Sequence, residues 1–124
     1  MKQLLIIPLV LMSLISSPSW GANFDKGFAA YQSGDFATAL REWTPLAEQG
    51  DASAQYNLAV MYDNGEGIRE DNVYAHMWLN IAASNGDKDA IENRDIIAEN
   101  MTPSQLEKAQ DLARECVKKN YKGC

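Results

Sequence analysis

Residues 51–86 read DASAQYNLAVMYDNGEGIREDNVYAHMWLNIAASNG. Ala54, Leu58, Met61 and Tyr62 fall at helical spacing in the first half, and Ala75, Trp78, Leu79, Ala82 and Ala83 do so in the second. Between them Gly65 and Gly67 supply the positive-φ conformations that other side chains resist. Gly86 stands just past the last periodic residue, where a helix stops. The stretch therefore predicts two amphipathic helices joined by a glycine-bearing loop, with Asp71 capping the second.

Used as a ruler, this unit finds itself again on both sides. Gly50 to Gly86, Ala54 to Ala90 and Ala39 to Ala75 are each 36 residues, and Trp43 to Trp78 is 35. Tyr31 to Tyr62 and Gly34 to Gly65 are only 31 apart, so the turn of the first unit is shorter by about five residues. Pro45 falls inside that unit's second helix, where it removes a backbone donor and predicts a kink or a tightened neighbour. In a third unit Ala90, Arg94, Ile97 and Ala98 continue the register. Thr102, Pro103 and Gln105 then make a helix start with a capping box. Leu106, Ala109, Leu112, Ala113, Cys116 and Val117 give that helix an apolar stripe.

The central pattern resembles the Sel-one-like repeat (SLR) family, relatives of the tetratricopeptide repeats. The matching positions are Ala54, Leu58-Ala59, Tyr62, Gly65, Gly67, Ile68, Asp71, Ala75, Trp78, Ala82-Ala83 and Gly86, with Ala59 where the family has Gly. The resemblance implies an all-α fold, an α/α solenoid of about three helix-turn-helix repeats. Its first repeat, 22–50, is tetratricopeptide-like, the central one is 51–86, and 87–124 is a degenerate C-terminal cap, which a solenoid needs at its open end.

The N-terminus reads differently. Lys2 is the only charge before Asp25, Leu4 to Ile15 is apolar apart from Pro8 and Ser13, and small residues follow. That is the order of a secretory signal peptide, 1–21, with cleavage expected after Gly21 or Ala22. The apolar run is short for a membrane span of about 20 residues, although an uncleaved anchor is the alternative reading. The expected location is periplasmic or secreted, with no stable membrane span after cleavage. Loss of Lys2 makes the net charge of −6 more negative still. An acidic domain repels phosphate backbones, which argues against nucleic acid as a partner.

Cys116 and Cys124 are the only cysteines. In an exported chain such a pair suggests a disulfide, with Gly123 permitting the bend; two reduced thiols or a metal pair are the alternatives. No further Cys or His stands near to complete a zinc site, and the redox spacing C-x-x-C is absent. His76, the only histidine, has no nucleophile in its neighbourhood and reads as a partly exposed helix residue. Asp63, Glu66, Glu70 and Asp71 cluster at the central loop but lack the register of a calcium loop. Gly65-Glu66-Gly67 has no preceding strand and no following Lys-Ser/Thr, so it is no phosphate cradle. No catalytic residue, cofactor or metal is expected.

Trp43, Trp78, Tyr31 and Tyr62 repeat at motif positions and read as packing between helices. Tyr56 does not. With Leu58, Ala59 and Tyr62 inward, Ser53, Tyr56, Val60 and Asp63 form the opposite stripe. By the resemblance this stripe lines a concave, partner-gripping face; an ordinary solvent face is the competing reading. The family implies adaptor or scaffold work through a protein or peptide partner, with self-association a further option. Some exported members act as immunity partners of secreted effectors. A cell-wall or β-lactam hydrolase, as in cysteine-rich relatives, and a purely structural envelope protein are the other readings. The hydrolase would need a Cys pair in each repeat or an S-x-x-K motif, and this chain has neither.

Overall fold

Every helix but the last begins at an Asp or Asn whose side chain accepts a backbone N–H in the first turn. The computed structural model describes residues 21–124, so residues 1–20 of the expected leader lie outside the described residues. Six helices follow in order: α1 (Phe24–Gln32), α2 (Phe36–Glu48), α3 (Ala52–Asn64), α4 (Asn72–Ser84), α5 (Lys88–Ala98) and α6 (Pro103–Lys118). Asn23, Asp35, Asp51, Asp71 and Asp87 cap the first five. Asp71 accepts from both Val73 and Tyr74, at 2.9 and 3.0 Å. Thr102 and Gln105 form a complete capping box on α6, at 2.9 and 3.1 Å. Each such cap is worth about 1 kcal/mol, and together they fix where the turns fall.

The chain is all-helical among the described residues, as the repeat pattern predicts. Helices α1 and α2 pair, as do α3 and α4, while α2 against α3 and α4 against α5 join one unit to the next. Alanines with no exposed surface line these seams: Ala39, Ala47, Ala54, Ala59, Ala75, Ala82, Ala90 and Ala109. They let backbones approach closely. Ala59 among them is fully buried, its methyl accommodated in the seam. Met61, Met77, Leu79 and Ile81 fill the volume between.

Helix α4 is the axis of the molecule, with Ala75, His76, Met77, Trp78, Leu79, Ile81 and Ala82 all buried. A helix buried nearly all round needs partners on every side. Here α3, α5 and α6 supply them. The last two helices differ from the first four, because each packs far more against α4 than against the other. Helix α6 runs alongside α4 in the same direction: Gln105 lies by Asn72 and Val73, and Val117 and Lys118 lie by Ile81 and Ser84.

Both motif tryptophans are buried, Trp43 and Trp78 alike. Trp43 donates from Nε1 to the Phe24 carbonyl at 3.1 Å and touches the rings of Phe24 and Tyr31. Tyr62 stacks on Tyr74, centroids 5.5 Å apart, which closes the top of α3 onto the start of α4. Pro45 does not interrupt α2, which continues through it to Glu48. Pro45 and Arg41, whose carbonyl loses its partner, are both exposed, so water can take the place of the missing donor.

The C-terminal tail folds back as a clasp. Cys116 and Cys124 are joined, with Cα atoms 5.6 Å apart. Asn120 and Tyr121 both adopt left-handed φ, 53° and 65°, so the bend is carried by two side-chain-bearing residues as well as Gly123. This carries the Tyr121 ring over the turn at Gly50, where a Cβ would meet it at 3.4 Å. The Tyr121 hydroxyl donates to Asn85 Oδ1 at 3.3 Å, and Asn85 Nδ2 donates to Gln55 Oε1 at 3.0 Å. Gln55 Nε2 then donates to the Ala47 carbonyl at 3.0 Å. Gln55 has no exposed surface. One polar chain thus links the tail to the turns at the ends of α2 and α4.

Candidate partner-binding groove

Helices α1 and α3 stand side by side with the α2 indole between them. Their facing side chains enclose a groove of about 180 Å³ lined by Phe28, Tyr31, Trp43, Tyr56, Asn57 and Val60. Phe28 is 47% exposed and stands at its mouth. Gly27, one residue earlier, is where α1 rests on Trp43: a Cβ there would lie 2.5 Å from the indole Nε1. The short α1–α2 turn and this glycine bring the aromatic side of α1 down onto the indole.

Two hydrogen bonds hold the groove's tyrosines. The Tyr31 hydroxyl donates to Glu66 Oε1 at 2.8 Å, which ties α1 to the α3–α4 loop. Burial raises the Tyr31 pKa first, and the Glu66 carboxylate adds to it. At the other side the Tyr56 hydroxyl accepts from Asn93 Nδ2 at 2.9 Å, which ties α3 to α5. Its pKa is raised chiefly by burial and then by Asp89 and Asp87. Both hydroxyls are therefore neutral donors or acceptors held among carboxylates.

Of the stripe expected from the sequence, Tyr56 and Val60 line this groove. Ser53 and Asp63 are not among its lining residues. Ser53 is exposed at the start of α3, and Asp63 is half-buried at its end. There burial, and then the like charge of Glu70, push the Asp63 carboxyl pKa up. The stripe is a straight line on one helix, whereas the groove is made by two helices and turns toward α1. Phe28, Tyr31, Asn57 and Asn93 are contributions the sequence reading passed over. The one available signal was Phe28, a large apolar residue three positions before Tyr31 on α1. Tyr31 and Tyr62 were expected to be core; both are half-buried.

His76 corrects another expectation. It is only 4% exposed, not partly exposed, because α4 is covered by α3, α5 and α6 together. Its Nδ1 has no hydrogen-bond partner among the described residues. Burial, and secondarily the Arg94 charge, lower its pKa, so it is neutral at physiological pH.

A second and larger groove, about 410 Å³, runs between α4 and α6 and is lined by Asn80, Ile81, Ser84, Ala113, Arg114, Val117 and Lys118. Val117, expected on the apolar stripe of α6, is 48% exposed at its edge. The rim cations are engaged locally, Arg114 with Asp111 and Lys118 with Glu115. Among the described residues no group of three or more His, Cys, Asp or Glu side chains could hold a metal ion. No helix among them is long and apolar enough to cross a membrane.

Comparison with known proteins agrees with this architecture. No curated protein matches the chain. A family model does: the Sel1 repeat, over residues 52–87. That span starts one residue inside the quoted stretch, runs one residue past it, and contains α3, the glycine loop and α4. Residues 52–87 are thus a Sel1 repeat, built on the helix pair that forms the centre of the fold.

Proposed function

We propose that the chain is an exported adaptor or scaffold that works by gripping a protein or peptide partner, without turnover, in the groove between α1 and α3. Sel1 repeats are protein-interaction modules, and that supports the general class. The observation that supports this particular face is the aromatic groove itself: Phe28, Tyr31 and Tyr56 are left partly uncovered around the buried Trp43. Apolar surface left open to water beside a rigid, hydrogen-bonded frame is what a partner can cover with gain. Residues 22–50, 51–86 and 87–124 act in this reading as first repeat, central repeat and terminal cap. The disulfide fits an oxidising compartment, periplasmic or extracellular. Immunity toward a secreted effector is one form such binding would take.

The experiment is capture from an envelope extract with the wild-type protein and with Tyr56→Ala plus Val60→Ser. A specific partner is retained by the first and lost by the second, while far-UV circular dichroism of the two coincides. Equal recovery on both would remove the groove from the reading.

A further inference from the structure

We infer that the α1–α3 groove is selective for a basic segment of the partner, holding an arginine or lysine side chain across its aromatic faces. The inference rests on the proposed use of this groove and names the chemistry of what enters it.

Size comes first. At about 180 Å³ the groove is smaller than the roughly 300–1,000 Å³ of small-molecule sites, so it suits one long side chain presented by a larger partner. Its walls are aromatic: Phe28, Tyr31, Trp43 and Tyr56. Aromatic faces carry negative potential and attract ammonium or, more often, guanidinium groups. A planar guanidinium also stacks on such rings, and the aliphatic stem of either side chain can lie on Val60.

Charge is the second observation. None of the lining residues is cationic. Glu66 holds one end through Tyr31, and Asp87, Asp89 and Glu92 act on the Tyr56 hydroxyl at the other. Helices α1, α3 and α5 carry only three cations. Lys26 is paired with Glu42 at 3.5 Å, and Arg94 is taken by Asn80 and Asp95. Lys88, exposed on the first turn of α5, remains. Carboxylates at both ends of a partly enclosed apolar slot focus a negative field along it. An acidic or neutral segment would gain nothing from that field, and the partner is therefore expected to be basic where it meets the groove.

The probes are acetylated, amidated twelve-residue peptides of Gly, Ser and Ala carrying either three arginines, three citrullines or three glutamates. Citrulline keeps the shape of arginine and removes the charge. Binding is read from the indole N–H resonance of Trp43 in the disulfide-bonded protein. The arginine peptide is expected to shift that resonance and to bind about fivefold or more tightly than the citrulline peptide. The glutamate peptide should not bind, and the difference should shrink with added salt. Glu66→Gln keeps a partner for the Tyr31 hydroxyl and should bring the arginine peptide toward the citrulline value.

Equal binding of arginine and citrulline peptides overturns the inference while leaving the groove in use. Failure of every peptide to move the Trp43 resonance overturns it too. In that event the envelope capture with Tyr56→Ala plus Val60→Ser separately decides whether the groove binds any partner.

Discussion

The loop between α3 and α4 contains two glycines that do different work, and replacing each with alanine separates them. Both have left-handed backbones, φ 67° at Gly65 and 69° at Gly67. Gly65 ends α3, and a Cβ there meets Glu70 Cβ at 3.3 Å, a contact the loop can relax. Gly67 lies against the start of α2. A Cβ there would be 2.7 Å from Phe36 Cβ and 3.3 Å from the Phe36 carbonyl carbon. Phe36 Cβ is fixed to the first turn of α2 and cannot rotate away, so the loop or the helix must shift. Left-handed strain costs an alanine about 1–2 kcal/mol at either position. Forcing atoms into a packed contact adds about 1–3 kcal/mol at Gly67 only. Gly67→Ala should therefore cost about 3 kcal/mol and Gly65→Ala about 1–1.5 kcal/mol. For a domain of this size each kcal/mol lowers Tm by roughly 4–8 °C. Thermal unfolding followed by circular dichroism at 222 nm should show Gly67→Ala falling by more than about 10 °C and Gly65→Ala by about half of that or less. Gly67→Ala within 3 °C of wild type, or no worse than Gly65→Ala, would refute the close-approach argument.

Other outcomes follow from features already described. Gln55→Leu removes the bonds to the Ala47 carbonyl, which keeps the Gly50 N–H, and to Asn85 Nδ2, which is exposed to water, so it should destabilise by about 0.5–1.5 kcal/mol in urea titration even though it adds apolar surface. His76 has its pKa lowered by burial, so the unfolded chain binds the extra proton first. Stability should be full above the unfolded pKa, near 6.5, and decline as pH falls below it; His76→Leu should flatten that slope between pH 7 and 5 in urea midpoints. Cys124→Ser opens a short loop, for which the chain-entropy account gives about 2–3 kcal/mol, and chemical denaturation in oxidised and reduced buffer should show the gap for wild type only. Thr102→Ala removes the capping box and should cost about 1 kcal/mol, visible as faster amide exchange in the first turn of α6.

Much of the fold could be read from residue spacing because each repeat announces its own ends. Asp71, Gly65, Thr102 and Gln105 act on backbone groups within a few residues of themselves, and local chemistry is what a sequence displays. The burial of Trp43 and Trp78 was also legible, since both recur on the helical period. His76 was not. Its exposure depends on α6 lying along α4, a contact between residues far apart in the chain. The groove failed to show for the same reason. Tyr56 and Val60 were visible as a stripe on α3, but Phe28 and Tyr31 join them only because Gly27 lets α1 settle onto Trp43. Ser53 and Asp63 share the stripe's periodicity, yet the neighbouring helix does not reach them.

The clasp at the C-terminus changes how a stack of this kind comes apart. In an ordinary linear array each unit touches only its neighbours, so the ends fray first and melting spreads inward. Here Tyr121 reaches back over the turn at Gly50, and the chain through Asn85 and Gln55 ends on Ala47. The last helix cannot peel away without loosening the turn that joins α2 to α3. The last helix is thereby expected to melt together with the turn that follows α2, so that this end behaves like a middle.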